Sequence, residues 1–187
     1  MKREEALALA REFVKNEGLL RHMLAVEAAV RGYAARLAPD EVDTWGLAGL
    51  LHDFDWEIHP TLEQHPQEGA PILRARGVPE VVIRAILSHA EHTGVPRTTP
   101  LEKALHACDE ITGLVTACVL VRPSKSIHDL EVSSVRKKWN NRQFAAGADR
   151  DDITAAAAEF GVELWEHVGN VIEAMRGIAG DLGLAGA

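Results

Sequence analysis

Residues 19–37 read LLRHMLAVEAAVRGYAARL, and the apolar positions of this stretch decide the fold class. Leu19, Met23, Val26, Val30, Tyr33 and Leu37 follow one another by alternate steps of four and three, the spacing of one stripe on an amphipathic helix. No segment of the chain alternates at period two, as a half-buried strand would. Downstream, Thr99, Pro100 and Glu102 form a capping box with proline at the first helical position. A long helix is therefore expected to start there and run to about residue 121, before Pro123 stops it. Further helices are expected at about residues 3–16, 41–54, 66–76, 79–91, 150–159 and 161–182, with loops around 55–65, 92–98 and 122–149. The chain should thus be all-α: one domain over residues 1–187, with a core over about 18–121 and an irregular segment plus helices over 122–187.

With 187 residues, 47% of them hydrophobic, the chain can bury a sizeable core without help. A net charge of −8 argues against general affinity for nucleic-acid polymers or anionic membranes, so the expected partners are small molecules. The longest apolar runs, LAGLL and VTACVLV, fall far short of the roughly 18 residues that cross a bilayer. Acidic residues interrupt the opening MKREEALALAREF where a signal peptide would be apolar, and a cytoplasmic protein is expected. Cys108 and Cys118 share one expected helix, about 15 Å apart and too distant for a disulfide. The heptad-like series Leu164, Val168, Val171, Met175, Ile178 and Leu182 is read as internal packing, with a homodimer seam as the alternative.

The polarity is oddest at residues 50–59, LLHDFDWEIH, where an apolar run leads straight into His52 and Asp53. A carboxylate at the inner end of a buried helix is costly unless a cation neutralises it, and a metal ion that also takes an imidazole lone pair resolves that cost. His22 falls between Leu19 and Val26 on the first stripe, which turns it toward neighbouring helices. Asp109 sits in mid-helix, where aspartate is a poor helix former, and its neighbours Thr112 and Gly113 leave room beside it. The remaining histidines, His59, His106, His128 and His167, are read as surface or structural residues. Trp45, Trp139 and Trp165 are read as core, and Trp56 as core with a pocket role as the alternative.

His22, His52, Asp53 and Asp109, in that order and on separate helices apart from the adjacent pair, resemble the HD superfamily of metal-dependent phosphohydrolases. In two-metal HD proteins a His-Pro-x-x-Gly-Ala segment follows the doublet and another histidine ends a later helix. HPQEGAPIL supplies His65, and VVIRAILSHAEHTG supplies His89, with His92 as a competitor for the same role. The continuation EKALHACDEITGLVTACVLVRPSKSI through KKWNNRQFAAGADR looks typical of the small stand-alone HD proteins known only as presumptive hydrolases. Two branches are instructive. The cyclic-dinucleotide branch has a second histidine where Ala90 stands, so that substrate is not implied, whereas the branch that splits diadenosine tetraphosphate has a similar ligand order.

The resemblance implies a compact helical bundle with a metal site at its centre and the C-terminal helices packed on it. It implies one or two divalent ions, with His22, His52 and Asp109 on the first, His65 and His89 on the second, and Asp53 bridging. Imidazole and carboxylate donors without thiolate favour iron or manganese, with magnesium, cobalt, nickel or zinc as further options. The expected function is hydrolysis of a phosphate ester or anhydride of a nucleotide or related metabolite, by a metal-activated water, with Asp53 and Glu57 as catalytic residues. The rival expectation is a non-catalytic metal-dependent binding or signalling module. Phosphate binding is expected from residues 122–150, which hold seven basic residues against three acidic ones although the whole chain is net −8. Lys137, Lys138 and Arg150 are the candidates there.

Overall fold

A computed structural model describes residues 1–186. Its helices are α1 (Arg3–Phe13), α2 (Glu17–Leu37), α3 (Val42–Leu51), α4 (Gly69–Ala75), α5 (Glu80–His89), α6 (Pro100–Leu120), α7 (Val132–Trp139), α8 (Arg150–Phe160) and α9 (Leu164–Arg176). There is no strand among the described residues, only an isolated bridge between Ser126 and Ala185, so the all-α expectation holds. Nor is any of these helices long and apolar enough to cross a membrane.

Two 21-residue helices, α2 and α6, pack against each other, and the rest of the bundle is laid on them. The Asn16 side chain caps α2 by accepting from the Gly18 and Leu19 amides. Its stripe buries Met23, Val26, Val30 and Tyr33, but Leu37, on the last turn, lies beyond the core and is 59% exposed. At the start of α6, Thr99 and Glu102 form the expected capping box. Thr98 and Thr99 both donate their amides to Glu102, whose other oxygen takes Arg84.

The key element for the site is α3, which has almost no polar face because it is wedged among α1, α2 and α5. A Cβ on Gly49 would lie 2.8 Å from the Glu27 backbone, so only glycine lets α3 approach α2 this closely. The helix ends at Leu51, three residues before the expected end, and His52 turns out of it at zero exposure in the middle of the molecule. Residues 52–68 then run through turns, and α4 begins at Gly69 rather than at residue 66.

The C-terminal helices are laid on this core. α9 packs on α2 and α6, and α8 packs on α6. α9 stops at Arg176, short of the expected 182, yet Val168, Val171, Met175 and Leu182 are all buried, so the stripe serves internal packing.

Candidate metal centre

Four helices and one turn region converge on a single carboxylate. α2 supplies His22, the end of α3 and its turn supply His52 and Asp53, the 52–68 turns supply His65, the last residue of α5 is His89, and mid-α6 supplies Asp109. His22 Nε2 lies 3.0 Å from Asp109 Oδ1, 3.2 Å from His52 Nε2 and 3.6 Å from Asp53 Oδ2. His52 Nε2 lies 3.4 Å from the same Asp53 oxygen and 3.5 Å from Asp109 Oδ1. On the other side of Asp53, Oδ1 lies 3.3 Å from His65 Nε2 and 3.8 Å from His89 Nε2, and those two nitrogens are 3.4 Å apart. The two oxygens of Asp53 therefore face two separate donor groups, His22 with His52 and His65 with His89, and each group closes around a common point.

The hydrogen bonds on the far side of each ring say what that point requires. His52 Nδ1–H donates to Gly49 O, and His89 Nδ1–H donates to Ile86 O, each one helical turn back. His65 Nδ1–H donates to Asp55 Oδ1 at 2.8 Å. Thr112 gives its hydroxyl proton to Asp109 O at 2.8 Å, which leaves its oxygen to accept from His22 Nδ1 at 3.3 Å. In the neutral tautomers all four Nε2 atoms thus carry a lone pair, aimed at other lone pairs and at two carboxylates. Such a convergence is repulsive unless a cation or protons sit inside it. Neighbouring donors around a divalent ion with bonds of about 2.1 Å lie about 3.0–3.4 Å apart, so these donors fit one.

Without an ion, protons do the same work. Burial acts against charge at both carboxylates, but the surrounding histidines outweigh it and hold Asp53 and Asp109 well below the usual carboxylate range. Burial likewise acts to lower His52 and His65, but Asp53 with Asp109 raises His52 well above its ordinary value, and Asp53 with Asp55 raises His65 to about 9. His89 goes the other way, to about 4, because burial and the His52 charge dominate.

The centre opens on a cleft of ≈ 580 Å³ that Asp53, His65, His89 and Asp109 floor. Trp56 and Leu62 form an apolar wall, with the Trp56 ring edge-on to His65. Glu91, Glu110 and Asp152 line the cleft as well, and no arginine or lysine does.

Several expected site residues lie elsewhere. Glu57 is not at the cleft: one of its carboxylate oxygens accepts the amides of Lys15 and Asn16, tying the turn after α3 to the start of α2. Lys137 and Lys138 are exposed on α7, where Lys138 lies over the Phe144 ring. Arg150 is 1% exposed and donates to the carbonyls of Phe144, Ala145 and Ala148, so its guanidinium organises a loop, and Arg150 is not among the residues that line the cleft. The local excess of positive charge is real, but folding spends it on α7's outer face and on backbone carbonyls. His92 does not replace His89, since its Nε2–H donates to His65 O. His167 is structural, between Tyr33 and Ala107 O.

Residues absent from the sequence reading also matter. Asp55 is fully buried and aims His65, and Gly69 makes room for it, because a Cβ there would lie 2.5 Å from Asp55 Oδ2. His106, read from the sequence as surface or structural, lines the cleft and donates from Nδ1 to His89 O, steadying the end of α5. The only hint of Asp55 was its place two residues after Asp53, which points nowhere until the turn is known.

A helical bundle with histidines and aspartates from separate helices around one shared carboxylate is a domain of the histidine–aspartate metal-binding class. The HD domain family matches residues 19–114, just over half of the chain, and the chain belongs to that family. Ribonuclease Y 2 of Levilactobacillus brevis is 38% identical over 87 residues, which are 46% of this chain and 15% of that protein. No solved structure matches this chain.

Proposed function

We propose that this HD protein is a metal-dependent phosphohydrolase acting on a phosphate ester or anhydride of a nucleotide or related small metabolite. The observation behind this reading is the set of imidazole lone pairs converging on Asp53 at the floor of an open cleft. Divalent ions, when bound, supply an acidified water and draw charge from the phosphoryl group. His22, His52 and Asp109 would hold one ion, His65 and His89 a second, and Asp53 both; the thiolate-free, imidazole-rich donor set suits iron or manganese.

The chain's own residues contribute orientation and selection. Asp55, Gly49 O and Ile86 O hold three imidazoles in the tautomer that presents Nε2 to the centre. Trp56 offers a ring against which a base or other flat group could stack. The acidic wall of Glu91, Glu110 and Asp152 disfavours a polyanionic polymer and supports a small substrate. The partial likeness to a protein named as a ribonuclease supports phosphoester chemistry without extending RNA as the substrate to this chain.

Phosphate release from a panel of nucleotides and simple phosphate esters, with manganese or iron added, tests the reading. Release that depends on metal and vanishes in Asp53→Ala is expected. Full metal occupancy with no turnover of any panel member would favour the rival, a metal-dependent binding module.

A further inference from the structure

A second cavity, of ≈ 200 Å³, lies between α2, the middle of α6 and the C-terminal turn, and shares His22 with the metal centre. Its polar side is made by Arg21 and Thr116, and its apolar side includes Leu120 and Leu182. The cavity is open to solvent, with Arg21, Gly113 and Leu120 exposed and Thr116 half-buried, and among the described residues neither the Arg21 guanidinium nor the Thr116 hydroxyl has a hydrogen-bond or ion-pair partner. The guanidinium is nonetheless placed: it lies against Gly183, where a Cβ would come within 3.0 Å of Nη1, and the backbone there has φ +67°. Glycine at 183 thus gives the arginine its space.

Gly113 adds an independent observation. It sits in the interior of a 21-residue helix, where glycine weakens the helix relative to alanine, yet a Cβ at this position would meet nothing within 4 Å. No close approach of another element explains it, and the volume it leaves open is part of the cavity wall. The room is that of roughly seven waters.

We propose that this cavity binds a small organic anion, with a phosphate or carboxylate head on Arg21 and Thr116 and a short apolar body against Leu120 and Leu182. A guanidinium with no partner among the described residues, beside a hydroxyl likewise without one, is a donor set for such a head, and the leucine side chains suit an alkyl or aryl body of a few carbons. The site is separate from the cleft and holds whether or not the protein is a hydrolase.

Calorimetric titration of the metal-loaded protein with butyl phosphate, pentanoate and pentanol tests it. At least one anion is expected to bind about tenfold or more tightly than pentanol, and the tighter of the two anions identifies the head group. Arg21→Gln should weaken that binding about tenfold or more. Thr116→Leu fills the void from the helical turn beyond Asp109 and removes the hydroxyl, so it should abolish binding while metal content is unchanged. Gly113→Leu, which fills the same space beside Asp109, serves as the second variant, with metal content measured alongside so that loss of the anion is told apart from loss of the ions. Failure of both anions to bind tighter than about 10 mM would overturn the proposal, as would affinity unaffected by Arg21→Gln. Binding lost only together with the metal would place the anion on the ions instead and overturn it equally.

Discussion

At the scale of single residues, the centre depends on Asp53 because its two oxygens serve both donor groups. Asp53→Ala should empty both metal positions while the helical circular-dichroism signal persists, and elemental analysis of the purified variant checks this. His65→Ala should halve the stoichiometry, from about two ions to one. Asp55→Asn is expected to weaken the second ion by about 10- to 100-fold, because the orienting carboxylate behind His65 is lost, and a competitive metal titration measures that drop. Proton bookkeeping sets the pH dependence. In the metal-free protein His65 is held protonated up to about 9, and an ion needs its lone pair, so loading at neutral pH must expel at least one proton. Affinity should therefore rise with pH, about tenfold per unit for each proton released; the His65 contribution levels off near pH 9, and His52, also held well above its ordinary value by Asp53 and Asp109, adds a proton of its own. His89, lowered to about 4, is already neutral and adds nothing above that. The test is the dependence of the titration heat on the ionisation enthalpy of the buffer, and zero proton release would contradict the assignment of His65.

At the scale of elements, the helix termini hold the site's frame. Glu102 closes the first turn of α6 by accepting the Thr98 and Thr99 amides, and it is 2% exposed with Arg84 on its other oxygen. Glu102→Ala should cost about 2 kcal/mol in urea unfolding, since it removes a cap and leaves donors without a partner. Glu57 plays a smaller version of this role at the start of α2. Glu57→Ala should cost about 1 kcal/mol and leave the metal content intact, whereas loss of a catalytic carboxylate facing the cleft would have had little effect on stability. Arg150 belongs at this scale as well, because its charge is consumed in fixing residues 144–148 ahead of α8.

At the scale of the whole molecule, the C-terminal helices are joined to the core that carries the histidine–aspartate centre through polar contacts as well as apolar ones. Tyr33 of α2 gives its hydroxyl proton to His167 Nδ1 of α9, and His167 Nε2–H donates to Ala107 O of α6, all buried. Burial keeps His167 below its ordinary value, hence neutral, as this pattern requires. His167→Phe should lower stability by about 2–3 kcal/mol, because both partners lose their bond in a dry interior. With α8 and α9 so attached, the chain is expected to unfold in one transition, with calorimetric and van't Hoff enthalpies equal. Two separate transitions would divide the chain near residue 121 into a core and a dispensable appendage.

What the sequence determined by itself is whatever depends on neighbours along the chain. Apolar period, caps and breakers are local, so the helices of residues 19–37 and 100–121 could be placed closely, and the burial of His52, with Asp53 half-buried beside it, followed from the apolar run before them. His22, His89 and Asp109 were legible because each sits on a helix whose inward face the period reveals, whereas Asp53 and His65 lie in the turns, and His65 was legible only through the motif that carries it. Direction in irregular segments was not. Asp55 and Glu57 both follow Asp53 by an even number of residues, yet one ends fully buried behind His65 and the other caps α2 at the surface. Only the turns after Leu51 decide between them. Lys137, Lys138 and Arg150 were indistinguishable from phosphate ligands by charge alone, since a cation's role is set by what it faces. Packing of α7 on α6 and α9, a long-range contact that no local pattern encodes, left those cations on the surface or bonded to the loop instead.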